Sequence, residues 1–155
     1  MIQRIQSVYL LMTSLMSVLF LSGNYFLLNN SGGTSIVIDF NGIWRSVGTG
    51  EYGLIAKSYS ITAFAALIAL ISFTTIFFYR NRKLQIKFVI VLISATALLI
   101  LLSVYNIYSV SREYEVSLKT GFRLLIPPVM FLLSLLALRG IRNDEDLVRS
   151  YDRLR

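Results

Sequence analysis

The stretch RNRKLQIK, at residues 80–87, carries four positive charges and no negative charge. A long apolar run precedes it and another follows it. Basic residues in short loops set the orientation of a membrane protein, because such loops stay on the cytoplasmic side. The side on which residues 80–87 lie therefore decides the placement of every other segment.

The composition is that of a membrane protein. Hydrophobic residues make up 55% of the chain, charged residues make up 15%, and the mean hydropathy is +0.68. A soluble domain is about 45–50% apolar and about 25% charged. The length predicts a single domain over residues 1–155. The net charge of +7 indicates contact with the lipid bilayer, whose anionic lipids attract basic residues, and no nucleic-acid partner is expected.

Four stretches are long and apolar enough for membrane spans, which need about 20 residues to cross about 30 Å of hydrocarbon. They are residues 5–26, 58–79, 88–108 and 122–138. The first is interpreted as a span and not as a secretory signal, whose apolar core is only about 7–15 residues long. Because lipid leaves backbone groups without partners, spans must be helical. The sequence therefore predicts an all-α membrane protein with a bundle of four transmembrane helices.

The charges outside the spans predict the topology. If residues 80–87 are cytoplasmic, ten of the fifteen Lys and Arg residues lie inside and five lie outside. This bias favours a topology with both termini in the cytoplasm. The candidate topology and lipid-headgroup residues are Arg80, Arg82, Lys83 and Lys87.

The first outside loop predicts a β-hairpin over residues 35–47. Two strand-like runs, 35–40 and 43–47, are joined by Asn41-Gly42, which favours a type I′ turn with Phe40 opposite Ile43. In this register Ile36 and Ile38 share an apolar face that needs a cover, because a lone hairpin is marginal in water. Residues 113–118 in the second outside loop alternate with period two and predict a third strand.

The last predicted span contains Pro127-Pro128. A helix that begins at Pro127 is short for a span, so we expect it to begin near Phe122 and to kink at the prolines. Arg123 is then expected at the outer interface. One interpretation of the kink is packing; the other is a polar notch that receives a ligand or partner.

The cytoplasmic tail, residues 140–155, predicts a short separate helix. Gly140 suits the end of span 4, and Asn143 suits the start of the tail helix. Asp144, Glu145 and Asp146 follow in its first turn. We expect this acidic cluster to lie within reach of residues 80–87 or of Arg4.

The residues that carry chemistry are few. Histidine and cysteine are absent from the sequence, which excludes Ser–His catalysis and thiolate metal sites. The spans hold no Asp, Glu or Lys near their centres, although transporters usually do. We predict no catalytic residue, no metal site and no cofactor. Serines in the spans, and the alanines at 63, 65, 66 and 69, are interpreted as packing residues.

Both ends of the chain carry a resemblance to a known family. Residues 1–10, MIQRIQSVYL, and residues 142–155, RNDEDLVRSYDRLR, resemble an uncharacterised family of small four-span inner-membrane proteins from Bacteroidota. The resemblance implies a location and no mechanism. The loop layout also resembles the claudin-like four-helix architecture, with Asn41-Gly42-Ile43-Trp44 similar to its first-loop motif, but the loop cysteines of that group are absent.

These observations favour a non-enzymatic accessory or scaffolding subunit of a larger inner-membrane complex. The alternative is a small transporter or lipid-handling protein that uses the Pro127-Pro128 region. The candidate partner-binding residues lie at the two cytoplasmic ends and in the first loop: Gln3, Arg4, Gln6, Asp144, Glu145, Leu147, Arg149, Tyr151, Arg153 and Trp44.

Overall fold

Four helices and five short strands make up the residues that the computed structural model describes, which are 3–23, 26–29, 34–39, 42–47, 52–56, 59–114, 117–119 and 122–153. The helices are α1 Gln3–Leu21, α2 Ser60–Phe77, α3 Arg82–Tyr114 and α4 Ile126–Arg153. The strands are β1 Phe26–Asn29, β2 Thr34–Ile38, β3 Ile43–Val47, β4 Tyr52–Ala56 and β5 Ser117–Lys119. Two 3₁₀ turns, Phe78–Arg80 and Phe122–Leu125, precede α3 and α4.

The helices form a ring in which α1 and α3 each pack against α2 and α4. Within the described residues, three helices are long and apolar enough to cross a membrane: Ser60–Phe77, Arg82–Tyr114 and Arg123–Glu145. The apolar part of α1, Ile5–Leu21, is shorter. Large apolar side chains such as Leu70, Leu101 and Phe73 are exposed on the outside of the ring, as hydrocarbon requires.

The predicted basic turn is mostly helical. α3 begins at Arg82, so residues 82–87 form its first turns and not a loop. Lys, Arg, Leu and Gln are good helix formers, and the charges lie beyond the apolar part of the helix. The reversal is confined to the Phe78–Arg80 turn and Asn81, whose N–H donates to the Phe78 carbonyl over 3.0 Å. The rings of Phe78 and Phe88 stack with centroids 5.0 Å apart and hold α2 against α3.

Small residues bring α1 and α2 together, as the sequence predicts. The Ser17 hydroxyl donates to the Ala65 carbonyl over 2.6 Å, and the Ser14 hydroxyl donates to the Ala69 carbonyl over 3.3 Å. Side chains as small as alanine allow this approach. Other buried hydroxyls donate within their own helices, for example Ser103 to the Leu99 carbonyl and Ser134 to the Met130 carbonyl, both over 2.8 Å. The interpretation of the serines as packing residues is confirmed at these positions.

The predicted hairpin is present, but its register is shifted by two residues. Ile38 faces Ile43 and Val37 faces Trp44, so residues 39–42 form the connection. The Asp39 carboxylate closes it by accepting the Gly42 N–H over 3.0 Å and the Trp44 indole N–H over 2.9 Å. Gly42 has φ 151°, a value that side chains rarely allow. The shift of two preserves the predicted face, and Ile36 and Ile38 are buried. Phe40 lies outside the described residues.

The sheet has five strands in the antiparallel order β4-β3-β2-β1-β5. The sheet contains strands from both loops, as predicted. The strand of the second loop, however, is Ser117–Lys119 and not residues 113–118. α3 continues through Tyr114, and the strand from the second loop is β5, which pairs with β1 and not with the hairpin. The strands β1 and β4 were not predicted, because both are short and directly adjoin predicted spans.

The sheet closes one end of the helix ring, here called the sheet end. Phe26, Leu28 and Ile36 are buried in the same core as the helix residues Phe20 and Ile61. The rings of Phe20 and Phe26 meet edge to face, with centroids 6.4 Å apart. The apolar cover that the hairpin needs therefore comes mainly from the helix ends.

A polar contact joins β3 to the end of α3. The Arg45 guanidinium lies 5.8 Å from the centroid of the Tyr114 ring.

The two prolines lie where α4 begins. α4 starts at Ile126, directly after the 3₁₀ turn Phe122–Leu125, so Pro127 and Pro128 lie in its first turn, a position that tolerates a missing N–H. The expected kink stays a prediction. Helical structure starts at Phe122, as expected, but its first turn, Phe122–Leu125, is 3₁₀ and the α-helical part begins at Ile126. α4 also has no break at Gly140 or Asn143. It continues to Arg153, and the separate tail helix is not formed.

We predict that Ala65→Leu lowers the free energy of unfolding by about 1–3 kcal/mol, because a larger side chain separates α1 from α2 at a fully buried position. Ala63→Leu is the matched control, since Ala63 is exposed on the same helix. SDS titration of the purified protein measures both. Equal stability of the two variants would contradict the close α1–α2 contact.

Candidate functional site at the basic end

The end of the helix ring opposite the sheet, here called the basic end, holds a small cleft. It lies where the start of α1, the start of α3 and the second half of α4 meet. It is a shallow cleft that opens to solvent and has room for about one water molecule between its walls. We call it the Arg82 cleft, and its lining residues are Gln6, Ser7, Tyr79, Arg82, Gln85, Ile141 and Asp144.

Asp144 is the centre of the polar contacts in the Arg82 cleft. Only 7% of its surface is exposed. The Gln6 side-chain amide donates to its carboxylate oxygen Oδ2. The Arg82 guanidinium donates through Nη1 to the Asp144 backbone carbonyl over 2.9 Å. One residue of α4 thus binds both α1 and α3.

Gly140 makes room for this contact. It lies one helical turn before Asp144 and therefore on the same face of α4. A Cβ at position 140 would lie 2.9 Å from Cγ of Gln6, which is too close. The glycine therefore allows α1 to approach α4, and the expectation that it ends span 4 is wrong.

Gln85 ties α3 to the end of α2 beneath the cleft. It is 3% exposed, and its amide donates to the Thr75 carbonyl over 3.5 Å. Burial of a side-chain amide is costly without a hydrogen bond. Among the described residues, every buried side-chain nitrogen or oxygen has a hydrogen-bond partner.

The basic end presents exposed cations on the helix segments that form the Arg82 cleft. Lys83 and Lys87 lie on the first turns of α3, and Arg139 and Arg142 lie on α4, all with exposed side chains. Asp144 is buried and Glu145 is half-buried. Positive charge therefore dominates the solvent-facing surface that the structure describes here.

Three of the sequence-predicted site residues meet in the cleft: Gln6, Arg82 and Asp144. The expected closeness of the acidic cluster to the basic stretch is confirmed for Asp144. Its partner in that stretch, however, binds its carbonyl, and its carboxylate binds Gln6. Glu145, Lys83 and Lys87 lie outside the lining of the cleft.

The other candidates lie elsewhere. Trp44 is at the sheet end, where its indole binds Asp39. Helical backbone is described at several further candidates, but their side chains are outside the described part: Gln3, Arg4, Arg80, Leu147, Arg149, Tyr151 and Arg153. Asp146 has the same status.

Neither Gln85 nor the packing role of Gly140 was predicted from the sequence. A signal for Gln85 was present, since it is an uncharged amide at the start of an otherwise apolar helix. The four-residue spacing of Gly140 and Asp144 was a second signal, but only in a helix that continues through both residues.

Arg123 occupies a defined position at the sheet end. Its guanidinium lies over Gly23, where an added Cβ would overlap it. Arg123 therefore packs across the residues that follow α1, which is more specific than the expected placement at an interface.

Residues 2–154 match the family described as Domain of unknown function (DUF4293). No curated protein and no solved structure matches the chain. The match covers both ends of the chain, including every described residue of the Arg82 cleft.

We predict that Gly140→Ala lowers the free energy of unfolding by about 1–3 kcal/mol, because the added methyl group pushes Gln6 away from Asp144. Helix propensity alone predicts the opposite sign, a gain of about 1 kcal/mol. Chemical denaturation in detergent measures the change.

Gly53→Ala is the control for this substitution, since the nearest atom to its added Cβ is the Arg45 carbonyl oxygen at an ordinary 3.9 Å. A stabilised Gly140→Ala protein would show that Gln6 does not need this space.

Proposed function

The chain belongs to the DUF4293 family, a domain of unknown function, and we propose that it is a non-enzymatic four-span protein of the bacterial inner membrane. Both termini lie in the cytoplasm, and the sheet lies on the outer side. The protein acts as an accessory or scaffolding subunit of a larger membrane complex. The inner-membrane setting follows the resemblance of its two ends to the Bacteroidota family.

The length and surface of α1 support its role as the fourth span. Its 19 residues extend about 28 Å at about 1.5 Å per residue, close to the hydrocarbon thickness of about 30 Å. Val8, Leu15 and Val18 are exposed on its outer surface. Such side chains suit contact with lipid.

The charge difference between the two ends supports the orientation. The basic end exposes Lys83, Lys87, Arg139 and Arg142. Short basic segments stay on the cytoplasmic side. This exposed positive charge supports a cytoplasmic location for the basic end.

Because the chain has no cysteine, single introduced thiols test this topology. We predict that Leu54→Cys and Arg112→Cys react with a membrane-impermeant maleimide in cells with a permeabilised outer membrane. Lys83→Cys and Arg142→Cys should react only after lysis, since the proposed topology places them inside. The reverse pattern, or labelling of all four in intact cells, contradicts the proposed topology.

The exposed edge strand β4 is the observation that carries the subunit role. β4 ends the sheet in the order of the described strands. Tyr52 and Leu54 are 54% and 43% exposed, and Ile55 points to the opposite face and is also exposed. Edge strands are usually protected by charge or proline. An apolar edge suits the addition of a strand from another protein.

The packing inside the ring supports a role without catalysis or transport. Leu10, Ile68, Leu92 and Met130 are fully buried between the helices. The buried hydroxyls described above bind helix carbonyls. The sheet, which lies outside the ring, is therefore proposed to supply the contact with the partner protein.

Extraction in several mild detergents, followed by native mass measurement, tests the subunit role. We predict that the 17.6 kDa chain is recovered with a stoichiometric second protein. Leu54→Lys should weaken that complex about tenfold or more, because it buries a charge at the contact.

Leu84→Lys is the matched control, because Leu84 is similarly exposed, at 39% against 43% for Leu54, but lies at the basic end. Recovery of the wild-type chain only as a free monomer in every detergent would count against the subunit role. Equal effects of the two lysine variants would exclude β4 as the contact.

A further inference from the structure

We infer that the Arg82 cleft binds the phosphate group of an anionic phospholipid, with Arg82 as its anchoring cation. The inference rests on the membrane placement given under the proposed function but not on the subunit role. The proposed subunit role does not involve the Arg82 cleft, so the inference adds a ligand for that cleft.

The position of the cleft suits a lipid headgroup. Arg82 is the first residue of α3, about one and a half helical turns before Phe88, where the predicted span begins. Phe77 and Tyr79, at the same level, are 67% and 52% exposed. Aromatic side chains concentrate at the boundary between hydrocarbon and headgroups. The mouth of the cleft therefore lies where phospholipid phosphates lie.

The charge around the cleft attracts an anion. The described basic end carries Arg82 in the lining of the cleft and four exposed cations on the same helix segments, at positions 83, 87, 139 and 142. Its described acids are Asp144 and Glu145. Basic pockets between helices on the cytoplasmic side are suited to phosphate headgroups.

The chemistry of Arg82 suits phosphate. A guanidinium has five N–H donors, and Arg82 donates through Nη1 to the Asp144 carbonyl. That bond fixes the group in position, and its remaining donors include a fork that matches two phosphate oxygens. Tyr79 and Gln85 also line the cleft.

The negative charge of Asp144 repels an anion in the same cleft. Removal of that charge is therefore expected to raise the affinity for a phosphate and not to lower it. Its carboxylate accepts a hydrogen bond from Gln6, which partly offsets its charge. Asp144→Asn keeps an acceptor for Gln6 and removes the negative charge. If the cleft holds a phosphate, this variant binds the lipid more tightly. A purely structural role for the Arg82–Asp144 contact predicts no gain.

The experiment measures retention of phosphatidylglycerol by the purified full chain, using native mass spectrometry after titration into detergent that contains phosphatidylcholine. Arg82→Gln is expected to lower the apparent affinity about fivefold, since one cation near an anionic headgroup contributes about that factor. Arg112→Gln is the matched control, because it removes one charge from the exposed sheet end of the same helix. It should leave retention unchanged.

Arg82→Lys addresses the possibility that Arg82→Gln does not fold. It keeps the charge and loses the fork, so it should reduce affinity less than Arg82→Gln. Thermal unfolding of each variant reports its fold. The inference is overturned if Arg82 and Arg112 variants lose retention equally, or if Asp144→Asn fails to increase it.

Competition with inorganic phosphate shows whether the ligand of the cleft is the phosphate group of a lipid or free phosphate. Added at millimolar concentration, inorganic phosphate should leave lipid retention nearly unchanged, because acyl chains contribute to lipid binding. If phosphate displaces the lipid, or binds the lipid-free protein with the same dependence on Arg82, the site is one for free phosphate and the lipid assignment is wrong. None of these results depends on recovery of a partner protein, so the subunit role and the lipid site fail separately.

Discussion

Backbone N–H and carbonyl groups in hydrocarbon must find their hydrogen-bond partners within the chain. This constraint explains the long helices and also the behaviour of the polar residues between them. Ser103 and Ser134 donate to carbonyls one turn earlier, and Ser17 donates across to α2. It also explains Pro127 and Pro128, which lie in the first turn of α4. The first turn of an α-helix tolerates a missing N–H better than its interior does.

The same constraint explains why the sheet lies outside the part of the ring that suits hydrocarbon. Strands at a sheet edge leave backbone groups unpaired, so the strands lie beyond the helix ends, where water or a protein can bind those groups. The sheet remains attached because Phe26, Leu28 and Ile36 are buried against the helices. Its two outermost described strands, β4 and β5, adjoin α2 and α4 in sequence. One sheet thus ties together the chain segments that enter and leave the ring.

The basic end depends on a single polar junction. Asp144 is nearly buried, and an ionised carboxylate in such a position is costly unless it is hydrogen-bonded. Gln6 supplies that bond, and Gly140 supplies the space that Gln6 needs. Arg82 binds the same residue through its carbonyl. The junction therefore sets the register of α4 against α1 and α3, and it also leaves a guanidinium at the mouth of a cleft.

Hydropathy and charge along the sequence determined the apolar helices and the basic end, because both depend on residue type over many neighbouring positions. The Asn41-Gly42 signal likewise located the hairpin. Only the tertiary structure decided its register, since the Asp39 carboxylate closes a longer connection through Gly42 and Trp44. Only the tertiary structure showed that α4 continues through Gly140, because the reason is the approach of Gln6 from α1. The acids near residue 144 were predicted to meet the basic stretch, but which atom of Asp144 binds Arg82 depends on packing between residues far apart in sequence.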